Sequence, residues 1–209
     1  VTLHRPERAA FLASSLEVAP RLLGAVLRHE TPEGPVALRI TEVEAYVGDG
    51  IDPGSHAFRG KTKRNAVMYG PPGHVYTYFT YGMHVCANIV CSPEGEASAV
   101  LLRAAEVVEG EDLAERRRVG ASGRSIPPRD LARGPARLVV AAGMSLADDG
   151  ADLFRPPFEL LLPSERLEYA TGARTGVSGA GGGLAFPWRY WLPGDPTVSP
   201  YKRHPRAHA

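Results

Sequence analysis

The 209-residue chain predicts an α+β fold, a single domain spanning residues 1–209. It is expected to hold a mainly antiparallel sheet flanked by helices, with a protruding β-hairpin. Three observations carry this. The 23 glycines and 19 prolines take about a fifth of the positions, too many for a helical bundle and suited to strands and loops. Two stretches, 36–47 and 75–90, alternate as strands do. The hydrophobic share of 44% supports one core without staples, and no repeat or linker divides the chain.

Residues 8–29 read as helical, since Phe11, Leu12, Leu16, Leu22, Leu23, Val26 and Leu27 recur near helical spacing. Pro20 interrupts that run and suits the first turn of a second helix. The turn residues 31–35 then lead into a strand over Val36–Val47. Residues 48–74, rich in glycine, proline and charge, read as a long loop of functional character. The hairpin follows, Val-Tyr-Thr-Tyr-Phe-Thr turning at Tyr81-Gly82 into Met-His-Val-Cys-Ala-Asn-Ile-Val. Ala99–Ala104 predicts a short apolar strand, and the charged stretch 110–133 a helix and a loop. A helix bearing Leu131, Leu138, Val139 and Val140 and a strand over Phe158–Leu162 complete the regular elements. Beyond residue 172 the chain is glycine-rich and then aromatic, with Phe186, Trp188, Tyr190 and Trp191.

Composition excludes several classes. With 24 basic and 23 acidic residues the net charge is +1, which removes a strongly basic, histone-like binder but leaves room for local patches. Two cysteines, Cys86 and Cys91, cannot make a disulfide scaffold or a four-cysteine zinc site. His56, His74 and His84 could add metal ligands, yet no C-x-x-C or H-E-x-x-H pattern occurs, so no metal or cofactor is expected. No apolar run approaches the roughly 18 residues of a membrane span, and the first residues carry no apolar leader, so no membrane partner and a cytoplasmic location are expected. Gly181-Gly-Gly183 lacks a following Lys-Ser/Thr and reads as a turn, and no G-x-S-x-G elbow is present.

Three features could carry chemistry. In Arg39-Ile-Thr-Glu-Val-Glu-Ala-Tyr46, strict alternation puts Glu42, Glu44 and Tyr46 on the face that begins with Val36, Leu38 and Ile40. Carboxylates two apart on one strand lie roughly 7 Å from each other and interact, a setting for a general base. The competing reading is a strand end emerging into solvent. In the hairpin, Tyr76 and Tyr78 share one face, as core material or as a binding wall, while Tyr81 at the tip has the form of a wedge that opens base steps. Arg103, inside an apolar strand, demands a buried partner of structural or catalytic kind. Basic clusters stand at Arg59, Lys61, Lys63 and Arg64, at Arg116–Arg118 and Arg124, and at Lys202, Arg203 and Arg206. Each reads as a solvated face or, beside an aromatic hairpin, as a phosphate contact.

Taken in order, Glu42-Val-Glu-Ala-Tyr46, Ser55-His56, Arg64-Asn65, Val75-Tyr-Thr-Tyr78, Tyr81-Gly-Met83, Asn88 and Val100-Leu-Leu-Arg103 resemble the alkyladenine (3-methyladenine) DNA glycosylase family. The similarity continues through Arg133-Gly-Pro135 and Ala173-Arg174 to Pro187-Trp-Arg189, nearly the whole chain. The resemblance implies a mixed α/β fold with a curved sheet, no metal, and hydrolytic excision of a flipped, alkylated purine from double-stranded DNA. By it, Glu44 matches the general base that activates water, and Arg103 the residue that helps hold that water. Tyr46, His56 and Tyr78 match the walls of the base pocket. Asn88 matches the side chain that crowds the 2-amino group of normal guanine. Tyr81 matches the inserted wedge. Met83, His84, Arg59, Arg64 and Arg174 are expected on the DNA. Thr175 stands in the pocket where mammalian members have an aliphatic residue, His84 where they have an aromatic, and 179–186 matches poorly.

These matches imply a monofunctional, monomeric DNA-repair N-glycosylase, associated with the nucleoid in a bacterium. Its range covers alkylated and, in a wider version, deaminated purines. His56 is the candidate for any general acid. The alternative is a protein that binds alkylation damage without cutting it; a hydrolase of free nucleosides and a metallohydrolase are further rivals.

Overall fold

The computed structural model describes residues 1–80, 82–119 and 123–208. Nine strands form one sheet: β1 (Leu3–His4), β2 (Val26–Thr31), β3 (Gly34–Val47), β4 (Val75–Thr80), β5 (His84–Val90), β6 (Ser98–Glu109), β7 (Phe158–Pro163), β8 (Ala170–Gly172) and β9 (Arg189–Trp191). Their order is β1-β7-β2-β3-β6-β5-β4, with β9 joining β3 to β8, and every pairing between them is antiparallel. Helices α1 (Ser15–Val18), α2 (Glu111–Val119) and α3 (Pro135–Ala142) complete the expected α+β architecture.

Alternation along the inner strands divides the sheet into two faces. Val75, Ala87, Ile89, Val100 and Leu102 join the main apolar cluster, which α2 and α3 cover with Leu113, Ala114, Leu138 and Val139. The intervening Tyr76, Val90 and Ala99 join a second cluster beneath the 48–74 segment, with Ala57, Met68 and Tyr69. That second face carries the candidate site.

Four departures from the sequence reading have physical causes. Residues 8–29 are not one or two long helices: α1 is a single turn, and Val26 and Leu27 lie in β2. Pro20 does sit in the first turn of a second helical piece, but that is only the 3-10 turn Ala19–Arg21; Gly24, at φ 80°, follows it, and pairing of 26–31 with both β3 and β7 outweighs local helical spacing. β6 runs well past Ala104 because its outer half pairs with β3 and its exposed Glu106 and Glu109 bind Arg39 and Arg28. α3 begins at Pro135, so Leu131 precedes it; Pro135 fits a helix's first turn and Gly134, at φ 122°, takes the preceding bend. Most consequentially, β3 does not alternate strictly. Register shifts between Ile40 and Val43 mark a bulge, after which Val43 and Ala45 take the core side that Val36, Leu38 and Ile40 held before it. Glu42, Glu44 and Tyr46 therefore lie on the opposite face from the apolar row they were expected to continue.

Candidate active site

The strand registers assemble the site row by row. Glu44 of β3 stands opposite Leu101 of β6, Leu101 opposite Asn88 of β5, and Asn88 opposite Tyr76 of β4. One step along, Tyr78 faces Cys86. These side chains share the second face, and the 48–74 segment and residues 175–178 wall them into a cleft of about 500 Å³. Glu44, Arg103, Tyr46, His56, Tyr78 and Asn88, nominated from the sequence, all line it, as do Thr175 and His84.

Neither carboxylate emerges into solvent: Glu42 and Glu44 are both fully buried. Glu42 Oε1 accepts from Arg103 Nε at 2.9 Å and Arg189 Nε at 2.6 Å, and its Oε2 accepts from the Ser199 backbone N–H at 2.7 Å. Burial pushes the Glu42 carboxyl up, but the Arg103 and Arg189 charges with the Ser199 hydrogen bond outweigh it and hold the group below the ordinary carboxylate range. Glu42 is thus an anion at neutral pH and anchors Arg103. The same guanidinium places Nη1 3.4 Å from Glu44 Oε1, so Arg103 has a structural partner on one edge and the cleft carboxylate on the other. Glu44 is further held by the Thr175 N–H to Oε1 at 2.7 Å and the Tyr46 hydroxyl to Oε2 at 2.8 Å. A carboxylate fixed by such charge-assisted bonds has one orientation.

The aromatic walls are neutral. Burial, and after it the Glu44 charge, raises the Tyr46 phenol well above its usual value; burial pushes Tyr76 up to about 12 and Tyr78 higher still. His56 meets Tyr78 edge to face at 4.5 Å and 82°, with Nδ1 3.1 Å from the Tyr76 hydroxyl. The two rings touch, so they form one wall together and leave no slot between them. The protein around His56, and then the Arg64 charge, keeps its imidazole below the ordinary value. It is therefore neutral at pH 7, which counts against a stored proton for general-acid work. Asn88 donates Nδ2–H to the Tyr76 carbonyl at 3.0 Å, fixing its amide at the cleft wall.

At the hairpin, Met83 is 68% exposed and His84, Arg59 and Arg64 are exposed as well. Arg64 donates to the Phe79 carbonyl at 3.1 Å and lies over the Tyr78 ring at 5.9 Å. Tyr81, the expected wedge, lies outside the described residues. Arg174 departs from expectation: it is wholly buried, bound to Asp52 through two 2.6 Å contacts, and offers no donor to a phosphate. Among the basic clusters, Arg117 and Arg118 are likewise engaged within the protein, with Glu33 and Thr31 and with the Leu131 carbonyl.

Sequence reasoning missed several members. Gly134–Arg137, at the start of α3, line the mouth and bring an exposed arginine to it; their proximity to the hairpin is set by packing across the sheet. Cys86 lines the cleft as a thiol whose pKa burial raises. Asp52 had a turn signal in Asp52-Pro-Gly54, but its pairing with a residue 122 positions away had none.

Comparison with known proteins gives the family. A family model for methylpurine-DNA glycosylase matches residues 9–196. A protein of Leifsonia xyli subsp. xyli, provisionally named a 3-methyladenine DNA glycosylase, is 81% identical over 208 residues, covering 100% of this chain and 98% of its own. Relatives with the same provisional name in Streptomyces avermitilis and Nocardia farcinica are 55% and 49% identical, covering 94% and 90% of this chain and 92% and 88% of theirs. The family resemblance drawn from the ordered motifs is borne out: the chain belongs to the methylpurine-DNA glycosylase family.

Proposed function

We propose that this protein is a DNA-repair enzyme that hydrolyses the N-glycosyl bond of alkylated purines, 3-methyladenine among them, and that Glu44 is its general base. The observation that carries the reading is a fully buried carboxylate at the floor of an aromatic cleft, held in one orientation by Tyr46, Thr175 and Arg103.

Alkylation of a purine ring nitrogen leaves a positive charge, which makes the base a good leaving group. A cationic base gains about 1–2 kcal/mol on an electron-rich aromatic face once desolvated. His56 with Tyr78 supplies one such wall and Tyr46 the other. Within a duplex the bond is out of reach, so the nucleotide is flipped at a cost of a few kcal/mol, least where pairing is already damaged. Tyr81 fills the gap, and the exposed Arg59, Arg64 and Arg137 meet the phosphates.

Water beside Glu44 and Arg103 gives its proton to Glu44 Oε while its oxygen bonds to the anomeric carbon. The carbon–nitrogen bond breaks with its electron pair moving onto the purine, whose charge is thereby neutralised. The Glu44 charge stabilises the developing oxocarbenium as the bond lengthens. Products are a free base and an abasic site. Neutral lesions such as hypoxanthine need a proton or strong hydrogen bonds to leave, and a neutral His56 supplies only the latter.

Single-turnover excision on paired duplexes, one with a methylated purine and one with hypoxanthine, followed by alkaline cleavage, tests the proposal. The methylated strand is expected to be cut. Cutting of the hypoxanthine strand as well extends the range to deaminated purines. Tight lesion binding with neither strand cut overturns the enzyme reading in favour of a damage-binding protein.

A further inference from the structure

Immediately behind the cleft lies an ion pair with both side chains fully buried. Arg174 and Asp52 are both fully inaccessible, joined through two 2.6 Å contacts, Nη1 to Oδ2 and Nη2 to Oδ1. Burying such a pair gains little net stability, because desolvation offsets most of the Coulomb attraction. Its value lies in geometry, and here the geometry converges on Glu44.

Arg174 braces two of the three groups that hold that carboxylate, Tyr46 and the Thr175 amide, and leaves Arg103 aside. Its guanidinium lies 4.4 Å from the centre of the Tyr46 ring, whose hydroxyl donates to Glu44 Oε2. Its Nη1 donates at 2.9 Å to the carbonyl of Ala45, the residue between Glu44 and Tyr46. Its own chain continues directly into Thr175, whose N–H donates to Glu44 Oε1. Asp52 completes the frame from the other side: it accepts from the Gly54 N–H at 2.8 Å and the Val47 N–H at 3.3 Å, tying the end of β3 to the loop that presents His56.

The glycine-rich stretch that matched poorly by sequence fits the same frame. The Gly181 carbonyl accepts from Arg174 Nε and Nη2 at 3.2 and 2.8 Å. A Cβ on Gly54 would come 2.7 Å from Arg174 Nη2, and one on Gly181 would strike the Gly54 backbone. Gly54 is required by its close approach to the guanidinium, and Gly181 by its close approach to the Gly54 backbone. The fork of five donors serves a carboxylate and two carbonyls at once, which a lysine cannot copy.

We propose that Arg174, held by Asp52, is a positioning residue for Glu44, acting through the Tyr46 hydroxyl and the Thr175 amide. It never meets substrate. The proposal rests on Glu44 being the general base. The groups facing Glu44 are Tyr46 on its own strand, Arg103 on β6, Tyr78 and Cys86 on the hairpin, and Arg174 with the Thr175 amide behind; only the last two and Tyr46 depend on the buried pair.

The test is a double-mutant cycle read by single-turnover excision at saturating enzyme on a methylated duplex, using Arg174→Lys, Tyr46→Phe and the double variant, with Asp52→Asn as a second route to the same lesion. Arg174→Lys is expected to slow excision about 10- to 100-fold, as a small misplacement of a reacting group does. Affinity for lesion DNA should stay within about threefold. In the Tyr46→Phe background the same substitution should cost clearly less, because one of its two routes to Glu44 is gone. Weakening the donors to the carboxylate should also move the acidic limb of the pH–rate profile upward. Full additivity in the cycle with an unmoved limb would overturn the proposal and leave Arg174 a purely structural residue. Should Arg174→Lys fail to fold, Asp52→Asn carries the same cycle. Glu44→Gln, run alongside, separates the two claims: retained excision there sinks the general base itself, whatever Arg174 does.

Discussion

The floor and the rim of the cleft use the same residue types in opposite ways. On the floor and immediately behind it, Glu42, Glu44, Arg103 and Arg189 form one buried network and Asp52 with Arg174 another, with contacts of 2.6–3.4 Å. At the rim, Arg59, Arg64, Arg137 and His84 stand exposed. Buried charge in a low dielectric survives only with its partners in place, so each floor residue is fixed by the rest. Exposed charge is screened and acts by sign and number more than by geometry. Changes on the floor should therefore abolish a specific step or unfold the domain, whereas changes at the rim should be graded and salt-dependent.

The largest effect should come from Glu44→Gln. Glutamine keeps the shape, its one carbonyl oxygen accepting from the Thr175 N–H while its amide donates to the Tyr46 hydroxyl, but it cannot take a proton, so excision should fall by about 10³-fold or more while lesion DNA still binds. Loss of binding together with activity would move Glu44 from chemistry to architecture. Its neighbour two residues earlier offers the sharpest contrast on the floor. Glu42→Gln leaves Arg103 and Arg189 buried with less than their compensating charge, and should cost about 3–5 kcal/mol in denaturant unfolding. An unfolding midpoint close to that of the parent would show that Ser199 and solvent suffice for the two guanidinia.

The hairpin strands and the late part of β3 were legible because alternation there is local and the turns carry their own residues. The floor was only partly so. Val26 and Leu27 read as helix because spacing with Leu22 and Leu23 fits it, and the strand that captures them lies some 130 positions on. The bulge at residues 40–43 inverted the face assigned to Glu42 and Glu44; counting by twos cannot see an inserted residue. Arg174 was placed at the rim by resemblance because a lone arginine before a pocket residue gives no hint of a buried aspartate 122 positions away. What residue order alone exposes is periodicity; what it hides is pairing at long range, and the floor is made of such pairs.

At the rim, removing both Arg59 and Arg64 by alanine should weaken binding of undamaged and damaged duplex alike. It should also lower the slope of log affinity against log salt by about 2, one phosphate for each charge. The stability of the domain should change little, since neither residue is buried. An unaltered salt slope would remove these two arginines from the DNA path and leave Arg137 and the hairpin to supply it.

The smallest effect, and the one that separates the floor from the aromatic wall beside the rim in a single experiment, is the pH dependence of stability. Both Glu42 and His56 are held below their ordinary values, the first by Arg103 and Arg189 acting against burial, the second by its surroundings and Arg64. For either group the folded state binds its proton less readily than the unfolded chain does. Stability is then complete above the ordinary value and is lost as pH falls toward the folded one. The windows differ: for His56 the loss begins below about pH 6.5, for Glu42 only below about pH 4.3. Acid titration of the unfolding midpoint should therefore show a shallow decline in the upper window and a steeper one in the lower, where other paired carboxylates such as Asp152 and Asp195 add to it. His56→Gln should flatten the upper decline and leave the lower intact. Glu42→Gln should do the reverse, on a less stable protein. A His56→Gln variant that keeps the upper decline would place its origin in another histidine and detach the cleft wall from this part of the pH response.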